Sequence, residues 1–261
     1  MARPTLLAAT LLLVGVATLT SGCATLGLEH PPTADPATPT VQRSSARPTA
    51  PNTSPVLTEA QARAALITDT DLGAPWTPTQ GAATWRDGLL KATTSVPDCQ
   101  KLLDALYADE LLGGPARAVV GLDDPDSGAQ LRYQLGGSGP AEVDARLAWL
   151  KTMPEKCARF AAEATGNTVL DAQVSELPLP EVGDVRQGLR VTLTIWATAG
   201  ENPAGDPTAL TLDVAAVRAG EDAFALTNGG LNDAPNAATQ AAVQLGVRRL
   251  AEVRQQGKVA V

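Results

Sequence analysis

The stretch Leu189-Arg190-Val191-Thr192-Leu193-Thr194-Ile195-Trp196 constrains this chain more than any other. Large apolar residues alternate there with polar ones. A period of two puts the apolar set on one face of a β-strand and leaves the other face wet. Strands of that kind belong to antiparallel sheets, because fully parallel sheets bury both faces and read as unbroken apolar runs. Further strands are expected at residues 82–93, 116–122, 129–135, 168–177, 185–198, 208–218 and 222–227. The acidic run Asp123-Asp124-Pro125-Asp126-Ser127-Gly128 reads as the hairpin turn between two of them.

Helical signals alternate with these strands. Thr58 and Gln61 have the spacing of a capping box, opening a helix that should run to about Ile67. Residues 96–112 carry Pro97 in a first turn and a stripe of Leu102, Leu103, Leu106 and Leu111, stopped by Gly113-Gly114. A third helix starts after Ser138 with Pro140 at its first position, and Val143, Leu147 and Leu150 line one face. A short segment restarts at Pro154 and carries Cys157. A last helix, capped by Asn232 or Asp233, shows the stripe Val243, Val247, Leu250 and Val253. The expected class is α+β: an antiparallel sheet with helices packed on one side.

Ahead of this domain lie two segments that build no core. Residues 1–22 start with a positive charge at Arg3, continue in an apolar run from Leu6 to Leu19, and end in Thr20-Ser21-Gly22 before Cys23. That run, about 14 residues, is shorter than the roughly 20 a membrane-spanning helix needs. It has the form of a bacterial secretory signal closed by a lipobox, with Cys23 as the lipid-attachment site of the mature chain. The alternatives are an uncleaved membrane helix and an ordinary secretion signal, since Thr20 stands where a lipobox usually has Leu. Several acyl chains on Cys23 would hold the protein on the bilayer. Residues 23–54 are rich in Pro, Thr, Ser and Ala and read as a disordered tether. Residues 55–261, roughly 200 in all, suffice for one extracytoplasmic domain.

Charge and composition exclude several functions. With 20 basic and 28 acidic residues the formal net charge is −8, which argues against nucleic-acid binding and against electrostatic adhesion to anionic lipids. Aromatic residues make up only 3%, which disfavours a carbohydrate platform or an aromatic cage. The Ala-rich, Lys-poor usage suggests the GC-rich genome of an actinobacterium.

With Cys23 assigned to lipid, Cys99 and Cys157 remain in an oxidising compartment, and a disulfide is the expected reading. Two free thiols or a redox pair are the alternatives. The only histidine, His30, lies in the tether, so a Ser-His-Asp or Cys-His centre has no histidine held by the fold. Gly136-Gly137-Ser138-Gly139-Pro140 lacks the spacing of a nucleophile elbow and reads as a hairpin exit and helix cap. No HExxH, Ser-x-x-Lys or phosphate-binding Gly-Lys loop occurs, and no cofactor or metal site is expected. A calcium loop starting at Asp124 would need glycine at its sixth position, where Ala129 stands. Trp149 and Trp196 are expected in the core, Trp76 in a packed turn, and Arg248, Arg249 and Arg254 on a solvated face.

Several local patterns occur together: Asp71-Leu72-Gly73-x-x-Trp76, Pro97-x-Cys99 opening a helix, Leu147-x-x-Leu150 leading to Cys157, Leu177-Pro178 with Gly183-Asp184, and the closing amphipathic helix. In these the chain resembles the extracellular sensor-type domain of mycobacterial serine/threonine kinases of the PknH type and of stand-alone actinobacterial lipoproteins. The resemblance covers most of residues 57–255. It implies an antiparallel sheet flanked by helices, a cysteine bridge, and a cleft for an unknown ligand. The kinase sensors carry two disulfides, whereas Cys99 and Cys157 can make one. The expected function is therefore a membrane-anchored, non-enzymatic lipoprotein that binds a small molecule, an envelope component or a membrane protein, at residues the sequence does not single out. An envelope hydrolase using paired carboxylates and a purely structural lipoprotein are the alternatives.

Overall fold

Thr58 starts the ordered elements as its spacing predicts: its hydroxyl accepts from the Gln61 amide while the Gln61 side chain accepts from the Thr58 amide. The computed structural model describes residues 56–81, 85–166, 168–195, 207–232 and 236–259. Residues 1–54 with Cys23 and His30, and also Trp196 and Asp233, lie outside the described residues.

Helix α1 spans Glu59–Ala64 and is followed by α2, Asp69–Leu72, opened by a second capping box between Thr68 and Asp71. A two-residue strand β1, Thr77–Pro78, and a π-helical turn, Arg86–Leu90, lead to α3, Pro97–Tyr107. Then come β2 (Ala118–Asp124), β3 (Ala129–Leu135), α4 (Pro140–Lys151), α5 (Met153–Lys156) and β4 (Phe160–Ala164). The chain closes with β5 (Thr168–Glu176), β6 (Val185–Ile195), β7 (Thr208–Ala219), β8 (Asp222–Leu231) and α6 (Asn236–Val259).

The strands form one antiparallel sheet in the order β1-β2-β3-β8-β7-β6-β5-β4. After β3 the chain crosses through α4 and α5 to the far edge, then returns strand by strand until β8 lies beside β3. Thr93 bridges the outer side of β4, with its amide donating to the Glu163 carbonyl at 2.8 Å and its carbonyl accepting at 2.7 Å. The Thr94 hydroxyl adds a bond to the Ala161 carbonyl at 2.7 Å.

Helices cover both faces of this sheet, where the sequence led us to expect one. On one face α3, α4, α5 and the π-helical turn pack over Leu170, Val191, Leu212 and Val214. On the other, α1 and α6 pack over Leu131, Tyr133, Val217, Phe224 and Leu226. The reason lies in β7 and β8: Val214 to Val217 and Ala223 to Leu226 are apolar at successive positions, so these strands need cover on both sides. The alternating strand is β6, with Leu189, Val191 and Leu193 buried and Arg190, Thr192 and Thr194 partly exposed. The α+β class with an antiparallel sheet and one disulfide is thus observed.

Several local expectations change. Residues 85–90, expected as strand, are helical: Trp85, Leu89 and Leu90 are buried together, and the Arg86 guanidinium turns inward. Its Nη2 donates to the carbonyls of Leu106 and Tyr107 and to Asp109 at 2.9 Å, so the turn is tied to the end of α3. The first helix stops at Ala64 and the second at Tyr107, with Leu111 buried in the turn that follows. The last helix begins at Asn236, and Asn232 stands ahead of it in the left-handed conformation. Strand β4 was not anticipated. The final helix is not simply solvated: Arg254 grips Asp222 through two bonds of 2.6 Å, and Arg249 reaches Asp71 at 2.6 Å. Burial pushes the Asp71 carboxyl up, but its bonds from Arg249 and Thr68 outweigh this and leave it below the usual range.

Beneath α6, Tyr133 and Phe224 stack with ring centroids 5.1 Å apart. Gly246 lets the helix settle on them, since a Cβ there would lie 2.8 Å from both the Tyr133 hydroxyl and Phe224 Cζ. The Tyr133 hydroxyl is buried with no hydrogen-bond partner among the described residues, and burial pushes its pKa up. An unmet buried hydroxyl opposes folding. Tyr133→Phe is therefore expected to stabilise the domain by about 1 kcal/mol, read from chemical denaturation. A loss of stability on this change would mean that the hydroxyl is hydrogen-bonded in solution.

Candidate functional site

Helix α4 presents two kinds of side chain. Val143, Leu147 and Leu150 face the sheet and are buried, while Asp144, Ala148 and Lys151 run along its flank. Opposite that flank, β5 ends at Glu176 and the chain passes through Leu177-Pro178-Leu179 before β6 begins at Val185. Between the two walls lies an open groove of about 700 Å³. That volume falls in the range of small-molecule sites, roughly 300–1,000 Å³.

The groove is held open by fixed contacts. The Leu177 amide donates to the Gly188 carbonyl at 3.1 Å, and Gln240 of α6 donates to the Pro178 carbonyl at 2.7 Å. Gly188 has to be glycine: a Cβ would lie 2.2 Å from the Leu177 carbonyl oxygen and 2.8 Å from Leu179 Cγ. At one end Arg218, at the end of β7, joins both walls. Its Nε donates to Asp144 Oδ1 at 2.6 Å and its Nη1 to Asp184 Oδ2 at 3.2 Å. The Gly220 amide also donates to Asp184, at 2.7 Å. One guanidinium thus pairs with a carboxylate from each wall. Apolar surface from Leu147, Leu177, Leu179 and Val185 lies between these charges and Lys151 and Arg186.

Chemically the groove lining is of mixed character. Asp144 and Asp184 are engaged with the same arginine. Among the described residues no group of three or more His, Cys, Asp and Glu is placed to hold a metal ion.

The residues singled out in the sequence fall elsewhere. Cys99 in α3 and Cys157 after α5 are bonded, with an S–S distance of 2.04 Å and Cα atoms 5.6 Å apart. Asp124 closes the hairpin turn through its own carboxylate, accepting from the Asp126 and Ser127 amides and the Ser127 hydroxyl. Gly139 caps α4 with Pro140 first in the helix. Trp76 and Trp85 are buried, and Trp149 is half-buried against the core. Of the groove residues, Leu147, Leu177, Pro178 and Asp184 belonged to patterns noticed in the sequence. The Arg218 contacts join positions 74 and 34 residues apart, and no local spacing announces them.

A second polar cluster lies on the opposite face of the sheet. Asp213 is fully buried and accepts from Arg190 at 2.8 Å and from the Thr239 hydroxyl at 3.1 Å, while Asn228 donates to Thr239. Arg190, Asp213 and Asn228 are direct cross-strand neighbours on β6, β7 and β8. This cluster pins the start of α6 to the sheet.

No protein-family model matches the chain, and no curated protein does. Among solved structures it is similar to the extracellular domain of PknH from Mycobacterium tuberculosis, with a TM-score of 0.45 and 14% identity. The match covers 76% of this chain and 97% of that one. No helix among the described residues is long and apolar enough to cross a membrane.

Proposed function

We propose that this chain is a lipid-anchored, extracytoplasmic, non-enzymatic module that binds its ligand in the groove beside α4. The observation that carries the reading is Arg218, which cross-links Asp144 and Asp184 on opposite walls and so braces the groove. Rigidity of this kind lowers the ordering cost of association. The mixed lining suits a ligand with both an apolar portion and hydrogen-bonding groups: a small molecule, an envelope component or an exposed segment of a membrane protein. A disulfide between α3 and the end of α5 accords with an oxidising compartment. Cys23 at the end of the signal segment accords with attachment through acyl chains.

Two measurements test this reading. Cys23→Ala is expected to move the protein from the membrane fraction to the soluble extracytoplasmic fraction. Unchanged membrane partitioning would rule out anchoring through Cys23. Native mass spectrometry of the mature chain purified from its host is expected to show a bound mass that is released on denaturation. That mass should diminish in Arg218→Met, which unties the two walls. A bare wild-type protein, or an adduct indifferent to Arg218→Met, would overturn the groove as the ligand site.

A further inference from the structure

The other flank of α4 carries a different arrangement. Trp149 lies half-buried at the surface of the core, and two cations lie over its ring. Lys101 Nζ of α3 is 5.0 Å from the ring centroid, and the Arg146 guanidinium carbon is 5.5 Å away. Together with Gly113, Glu142 and Ala145 these residues line a separate pocket of about 410 Å³. Neither Lys101 nor Arg146 forms an ion pair among the described residues, although acids outnumber bases in this protein. The ring quadrupole attracts both cations but cancels neither charge. Two positive charges therefore flank one aromatic ring, with Glu142 the one carboxylate lining the same pocket. Their scaffold is stiff, because the Cys99–Cys157 bond ties α3 to the end of α5, close behind α4.

We propose that this pocket is a binding site for a phosphorylated polyol. The two cations match the charge of a phosphate better than that of a single carboxylate, with arginine offering a fork of donors and lysine a mobile point charge. Glu142, at the rim, repels a second anion and accepts hydrogen bonds from hydroxyl groups. Two sources share this chemistry: a soluble ester such as glycerol 3-phosphate and a phosphatidylglycerol headgroup. This site is separate from the groove bounded by Arg218 and does not depend on it.

The test uses the mature chain carrying Cys23→Ser, with 15N-labelled tryptophan. The Trp149 indole resonance, assigned through Trp149→Phe, is followed during titration with glycerol 3-phosphate and with phosphatidylglycerol vesicles. Sodium chloride at matched ionic strength and phosphatidylcholine vesicles serve as controls. A saturable shift is expected, with affinity falling about tenfold or more in Lys101→Gln/Arg146→Gln and recovering in Lys101→Arg/Arg146→Lys. Saturation by glycerol 3-phosphate assigns the site to soluble phosphate esters. Saturation by phosphatidylglycerol vesicles alone assigns it to the headgroup. The proposal is overturned if neither probe gives a saturable shift, if chloride or phosphatidylcholine gives the same shift, or if the Gln double variant binds as the parent does.

Discussion

Replacing Cys99 and Cys157 together by alanine is expected to lower the stability of the folded domain by about 4 kcal/mol. The bond closes a loop with a sequence separation of 58, and the loop-closure entropy it removes from the unfolded chain has that size. For a domain of this length the loss corresponds to a fall in melting temperature of about 8–16 °C. Both sulfurs are buried among Leu102, Leu150 and Met153, so truncation to alanine adds a packing loss of the same sign. Calorimetry of the double variant against the oxidised parent gives the number. A change below about 1 kcal/mol would mean that the unfolded chain is already compact across this loop.

Gly188→Ala is the second large effect, expected to exceed about 3 kcal/mol because the added methyl meets backbone. The Leu177 carbonyl oxygen would be 2.2 Å from it, and that oxygen belongs to a segment already bonded to Gly188 through the Leu177 amide. Leu177-Pro178-Leu179 must move away from β6, and this segment is one wall of the groove. Stability and ligand retention should therefore fall together. Denaturation curves and native mass spectra of the same variant check this, and an alanine variant as stable as the parent would refute the packing argument.

Most of the fold was legible wherever the side chains are large. Strand β3 occupies residues 129–135, as its alternation indicates, and α4 begins at Pro140 because proline is favoured in a first turn. The disulfide followed from two remaining cysteines in a chain whose first residues read as a secretory signal. Small side chains hid the rest. Phe160-Ala161-Ala162-Glu163-Ala164 alternates between buried and exposed, but with alanine on both faces the contrast is too weak to read as β4. Trp85, Leu89 and Leu90 have helical spacing, yet a short apolar run around Gly88 is ambiguous between helix and strand. The second helical layer was foreshadowed by Ala223-Phe224-Ala225-Leu226, an unbroken apolar run that only a strand covered on both faces tolerates. The resemblance implied a cleft, but the groove's position was not legible. Asp144, Asp184 and Arg218 meet because β6 and β7 pair Val185 with Arg218 and because α4 crosses above them, and both facts are tertiary.

The treatment of the two sheet margins bears on how many copies can coexist at a surface. A bare strand margin is a template for joining another molecule, and crowding sharpens that hazard. Here Thr93 and Thr94 occupy backbone groups along β4 at one margin, and the other ends in a strand of two residues closed by Pro78, which has no amide hydrogen to offer. Among the described residues neither margin presents a long row of open donors and acceptors. A second copy brought alongside finds little backbone there to pair with.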